Sequence, residues 1–250
     1  MEGAHPILVL WGMKFNLATI GMSLLMMIIV AVLARMGTSR MSMRSPRGMQ
    51  NVLEWLYGFV RGLATDMMSE KQADKFVPLA LTLIIYIFIS NMSDMPFNIT
   101  TAHPNGIPEL GVEPGQTVNW WVAPTANMSV TMAMSLMVIL LSHYLGLRRP
   151  GAYFKHYFEP FFIFLPINIL EEVAKFLTLG LRLYGNIFAG EVLISVLLGI
   201  PMAFGWLPIG NVPTLIIWIA YSIFVGTIQS FVFTVLTLVY ISQKLPHEAH

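Results

Sequence analysis

Arg182, Glu191 and Glu172 are ionisable residues set in stretches apolar enough for hydrocarbon. The first two belong to LTLGLRLYGNIFAGE, residues 177–191, between FFIFLPINIL and VLISVLLGI. A charge at the bilayer centre costs about 2.5–3.5 kcal/mol on insertion scales, so an intramembrane ionisable residue points to function. A guanidinium is permanently charged in proteins and carries no proton, but it attracts carboxylates. Carboxylates exchange protons when burial disfavours their charge. A fixed positive charge flanked by acids at different depths reads as a proton path with a barrier in it.

At about 100° per residue, Glu171, Lys175, Arg182 and Asn186 share one stripe of a helix. Glu191 lies about 180° away from Arg182 and about 13 Å along the axis, and Glu172 sits near 80°. The stripe offers Arg182 only Glu171, which is about 16 Å away and four residues from Lys175, a favourable helix pair. The counter-charge of Arg182 is therefore expected on a second subunit. If the following turn centres near residue 206, Gln229 lies opposite Arg182. Glu191 then faces Ala220, with Tyr221 and Ser222 adjacent, and Glu172 lies near Val239 and Tyr240. Gln229 can hydrogen-bond a guanidinium without neutralising it. Asn186 and Gln229 fit interhelical hydrogen bonding equally well. Gly180, Gly185 and Gly190 fit close helix packing. His143 reads as an interfacial histidine.

The elements that position these residues follow from composition. The chain is 56% hydrophobic and 11% charged, with mean hydropathy +0.70, against roughly 25% charged for a soluble domain. This is the composition of an integral membrane protein. The formal net charge of +1 gives no field for nucleic acid. With no cysteine, disulfides, thiolate metal sites and cysteine catalysis are excluded. No phosphate-cradling loop, metal-ligand cluster or nucleophile constellation is visible, so neither cofactor nor metal is expected. The N-terminus lacks a basic region and cleavage site ahead of its first apolar run and reads as retained.

The first span is expected over 17–34, followed by Arg35, Arg40, Arg44 and Arg47. Over 50–68, Val52, Leu56, Phe59, Leu63 and Met67 recur at helical spacing, with Glu54 and Arg61 opposite. This fits an amphipathic helix in the membrane interface, or else a helix packed on the bundle. Further spans are expected over 76–91 and 128–147, the latter capped by Asn127 or Thr125. The loop 93–124 between them holds Asp94, Glu109 and Glu113 but no Lys or Arg. Two long helices over 166–198 and 212–243 complete the chain. Each is about 50 Å long against a hydrocarbon core of about 30 Å. A strongly tilted antiparallel pair is expected, giving an all-α fold of about five membrane-embedded helices plus the interfacial one, in a single membrane domain. Arg148, Arg149, Lys155 and Lys244 fall on the side of the first basic cluster. By the positive-inside rule the N-terminus and the loop 93–124 face outside and the C-terminus the cytoplasm.

TLGLRLYGNI at 178–187 and GTIQSFVFTVLTLVYIS at 226–242 resemble the two signatures of the subunit a family of F-type ATP synthases. PINILEEVAKFLTLG, RGMQNVLEWLYGFV and PTANMSVT are similar to the same family, and the resemblance covers nearly the whole chain. It implies a non-catalytic stator subunit of the Fo sector in the cell membrane, beside a rotating ring of c subunits, with b-type peripheral stalk subunits as further partners. It couples proton translocation to ATP synthesis through two half-channels. Arg182 would match the essential arginine that faces the ring carboxylate. Glu191 would match the acid of the outer half-channel, Glu172 a further polar member of that pathway, and Gln229 the glutamine near the arginine. Asn186 belongs to the same motif. The chain departs from the family pattern at Phe176, where proline is frequent, at Asn127, where aspartate is common, and near Ser222, where some members carry histidine. There Tyr221 and Ser222 would serve with water. Two rival readings are a secondary transporter binding an anion at Arg182 and a scaffold subunit with a structural ion pair.

Overall fold

The computed structural model describes residues 6–10, 12–39, 42, 48–93, 100–102, 107, 112–115, 117–148, 165–199 and 211–245. Six α-helices carry most of them: α1 (Leu17–Thr38), α2 (Met49–Thr65), α3 (Glu70–Ser93), α4 (Met128–Gly146), α5 (Leu165–Gly199) and α6 (Asn211–Lys244). Among the described residues, four helices are long and apolar enough to cross a membrane: α1, α3, α4 and, from Ile216, α6. The protein is an all-α integral membrane protein. Arg40, Arg44, Arg47, Asp94, Glu109, Arg149, Lys155 and the turn over 201–210 lie outside the described residues.

Local chemistry explains the helix starts. Asn16 caps α1 by accepting from Thr19 N, and Asn127 caps α4 by accepting from Ser129 N, satisfying donors that have no intrahelical partner. Among the described residues, two short hairpins lie outside the helices. In the first, β1 (Ile7–Leu10) pairs antiparallel with β2 (Met13–Asn16), around a turn in which Gly12 takes φ 79°. That left-handed conformation is one a β-carbon disfavours. In the second, β3 (Thr100–Ala102) pairs with β4 (Thr117–Asn119), closed by Trp120 Nε1 donating to Thr101 Oγ1 at 2.8 Å.

Two apolar clusters hold the bundle. At one end Val60 and Ala64 of α2, Ala73, Val77 and Ala80 of α3, and Leu238 of α6 are buried together. Deeper in the bundle, Leu83 and Ile87 of α3, Val138 of α4, Leu179 and Leu183 of α5, and Phe233 of α6 form the second. The α2 stripe turns out rotated from the expected one. Leu56, Leu63 and Met67 do pack on the bundle, but Val52 and Phe59 are exposed beside Trp55. Val60 and Ala64 take their place, because small side chains let α2 lie close on α3. Arg61 Nε holds Asp74 Oδ1 at 2.8 Å across the α2–α3 corner.

At about 1.5 Å per residue, the 35 residues of α5 and the 34 of α6 each exceed a hydrocarbon core of about 30 Å. They run antiparallel: the last residue of α6, Lys244, meets Glu172 near the start of α5.

Candidate functional site

The long helix α5 is two-sided. Leu179, Gly180 and Leu183 are buried, facing α4 and α6. Gly180 lies so close to α4 that a β-carbon there would stand 2.7 Å from Met132 Sδ. Ser135 Oγ of α4 donates to Phe176 O at 2.6 Å. The other side of α5 is open: Glu171, Thr178, Arg182 and Ala189 are all exposed, and all lie within about 40° of Arg182 at 100° per residue. Thr178 and Ala189 are small, so a helix from elsewhere can approach Arg182 closely. Among the described residues, Arg182 has no hydrogen-bond or ion-pair partner.

Glu171 is engaged elsewhere, with its Oε1 2.9 Å from Lys175 Nζ. Glu172 sits at the centre of a charged cluster. Its Oε1 accepts from Lys244 Nζ at 2.6 Å and from Lys175 Nζ at 3.4 Å, and its Oε2 lies 3.8 Å from His143 Nε2. His143 Nδ1 lies 2.8 Å from Ile139 O, an oxygen that can only accept, so that nitrogen donates. Lys175 Nζ also donates to Gln243 Oε1 at 3.3 Å and sits over the Tyr240 ring. The Lys244 side chain is 6% exposed and that of Glu172 14%. The cluster gathers the end of α4, the start of α5 and the end of α6.

A second polar knot lies toward the other end of the bundle. Asn91 near the end of α3 donates to Gly226 O of α6 at 3.3 Å, and its Oδ1 accepts from Thr125 Oγ1 at 2.9 Å. Asn127 Nδ2 donates to Thr19 Oγ1 of α1 at 3.3 Å. Trp121 Nε1 donates to Ser93 O at 2.6 Å. Asn91 and Thr125 are buried.

The register of α5 on α6 differs from the expected one. Glu172 meets Lys244, in a cluster where Lys175 also sits over the ring of Tyr240, which was expected near Glu172, and Leu183 shares its apolar cluster with Phe233. On this register Arg182 is level with Thr234, and Gln229 lies about 7 Å farther along the axis, level with Ile187 and Asn186. This register is fixed by side-chain contacts, Glu172 with Lys244 at one end and Leu183 with Phe233 within the bundle. Gln229 is buried, and its Nε2 has no hydrogen-bond partner among the described residues. Asn186 is half-buried. Glu191 is exposed on α5 and level with Val225 and Gly226, at the depth of the Asn91 knot. Ser222 is half-buried and Tyr221 exposed, one turn before Gly226 on α6. Glu172 and Glu191 thus lie at different depths, about 28 Å apart along α5.

Sequence reasoning missed Asn91, Lys244 and His143 as members of polar clusters. The signal for Asn91 was an amide inside the apolar run IFISNMS. Lys244 carried no such mark, since a lysine after a span ordinarily reads as a topology signal. The α6 hydroxyls were also unremarked: Thr227, Ser230, Thr234 and Thr237 each donate to a carbonyl three or four residues back, which satisfies them within the helix.

The sequence profile of the family described as "ATP synthase A chain" matches residues 20–242. The chain is similar to "ATP synthase subunit a" of Staphylococcus carnosus, at 44% identity over 237 residues, covering 93% of this chain and 91% of that protein. The protein of the same name from Staphylococcus saprophyticus is 43% identical over 238 residues, covering 92% and 91%. That of Staphylococcus aureus is 44% identical over 239 residues, covering 94% and 92%.

Proposed function

The chain belongs to the ATP synthase A chain family, and from that premise we propose that Arg182 separates two proton half-channels that serve a moving carboxylate on a neighbouring ring of c subunits. The chain is a multi-pass membrane subunit of the Fo sector and takes part in proton-coupled ATP synthesis. In this reading a proton enters from outside near Glu191, with Ser222, Tyr221 and water along the way, and neutralises a ring carboxylate. The neutral carboxylate turns through lipid and releases its proton into an inner half-channel. Glu172, expected from the resemblance on the outer pathway with Glu191, is instead assigned to the inner side in this proposal, because its neighbours Lys175 and Lys244 stand at the basic end of the bundle. Gln229 and Asn186 line the interval between Arg182 and Glu191. The ionised carboxylate is favoured beside Arg182, and a guanidinium gives a proton no way past. The drive is about 2.3 kcal/mol per charge per 100 mV. The N-terminus and the 93–124 loop face outside, the C-terminus faces the cytoplasm, and b-type stalk subunits hold the chain against the ring.

The observation that carries this is the exposed guanidinium of Arg182, among small residues, with no partner among the described residues. A cation placed so in an apolar setting needs a counter-charge from outside the chain. The experiment is Arg182→Ala in the whole complex, reconstituted in vesicles. Proton-driven ATP synthesis should fall below detection while the complex still assembles. Synthesis retained at an appreciable rate would refute the role. Lowered assembly with unchanged proton flux per complex would favour a scaffold.

A further inference from the structure

We propose that the Glu172–Lys244 ion pair, braced by Lys175, is the register lock between α5 and α6, and thereby sets the depth of Gln229 relative to Arg182. The functional half of this inference rests on the role of Arg182 proposed above. The structural half concerns only how two helices find one alignment.

The buried part of the α5–α6 contact is apolar: Leu179 and Leu183 meet Phe233, with Leu236 and Tyr240 packed alongside. Leucine and aromatic surfaces of this kind tolerate sliding, because a shift of one turn, about 5.4 Å, replaces one apolar neighbour with another. The α6 hydroxyls do not resist it, since Ser230, Thr234 and Thr237 bond within their own helix. Asn91 fixes α6 to α3, not to α5. At the inner end the chemistry changes: Lys244 reaches Glu172 at 2.6 Å, and Lys175 reaches Gln243 at 3.3 Å. A buried ion pair is a poor source of net stability, because desolvating two charges offsets most of their attraction. Its best-attested use is to specify one register among several that packing alone would accept. A one-turn slide would part Lys244 from Glu172, the shortest contact of the cluster, and Lys175 from Gln243, while Glu172 kept only Lys175 of its own helix and His143 of α4. It would also carry Gln229 a full turn away from its level beside Asn186. Lys244 and Lys175 are therefore positioning residues, acting on Arg182's surroundings through the alignment of α6.

The chain has no cysteine, so paired cysteines report register directly. In the assembled complex in membranes, L183C/F233C reads the native alignment and L183C/T237C an alignment slid by one turn, each joined by a short bismaleimide. With Glu172 and Lys244 intact, and with K244R, the first pair should dominate. In E172Q or K244Q the ratio of first to second should fall at least about threefold, and ATP synthesis per assembled complex should fall with it. The swap E172K/K244E should restore both. An unchanged ratio in the Gln variants, or a swap that restores neither, would overturn the inference. If the Gln variants fail to assemble, the swap decides: assembly with the native ratio supports the lock, and failure to assemble sinks it. Arg182→Ala separates the two layers, since retained coupling there would end the functional reading while a slid ratio in K244Q would leave the register lock standing.

Discussion

Arg182 and Asn91 show two ways in which a polar side chain lives in an apolar bundle. Asn91 is satisfied from within, donating to Gly226 O and accepting from Thr125. Arg182 is exposed and has no partner among the described residues. The difference decides what each substitution does. Asn91→Ala leaves the buried Thr125 hydroxyl without its acceptor, a loss of about 1–3 kcal/mol. It should appear as a lower thermal midpoint of the assembled complex. The Asn91→Ala/Thr125→Val double variant should cost less than the two single changes together, because residues sharing one hydrogen bond are coupled by about 0.5–3 kcal/mol. Strict additivity would mean that the bond contributes nothing. Arg182→Ala should act the other way, with little effect on stability and loss of coupled synthesis, since removing this exposed side chain breaks no hydrogen bond or ion pair among the described residues.

Helices α4 and α5 meet at a glycine. A β-carbon at Gly180 would stand 2.7 Å from Met132 Sδ and 3.4 Å from Met132 Cα. Gly180→Ala displaces a flexible thioether and should be mild. Gly180→Val meets the α4 backbone and should cost about 1–3 kcal/mol by overpacking, seen as a reduced yield of complex. Equal yields for glycine and valine would show that the helices have room to part. This is also the scale at which sequence and structure divide. The stripe bearing Arg182 was legible, because a helical period and a charge in an apolar run leave a mark that one chain can show. The α2 face was half legible: Leu56, Leu63 and Met67 follow the period, but Val52 and Phe59 continue it and yet lie exposed. Periodicity gives a stripe about 100° wide and does not say which edge the neighbour covers. The α5–α6 register was not legible. It depends on where Lys244 finds Glu172, a contact 72 residues apart in sequence with no local trace.

Over the whole molecule, the ion pairs found among the described residues gather at one end. Arg61 with Asp74, and the cluster of His143, Lys175 and Lys244 around Glu172, lie there, while Thr117 and Trp120 belong to the hairpin between α3 and α4. The positive-inside rule then gives an orientation that can be measured. In an otherwise cysteine-free chain, Thr117→Cys should react with a membrane-impermeant maleimide in intact cells, and Arg148→Cys only after permeabilisation. The reverse pattern would invert the assignment of the two half-channels. The central claim, that the counter-charge of Arg182 arrives on another and moving chain, is tested most directly by cross-linking from Thr178→Cys. This position is exposed on the Arg182 side of α5, one turn away. The expected product joins α5 to a membrane subunit that carries a carboxylate in its span, and its formation halts ATP-driven proton pumping until the link is cleaved. A cross-linked complex that pumps at full rate, or a Thr178→Cys that captures no neighbouring subunit in the assembled enzyme, would contradict it.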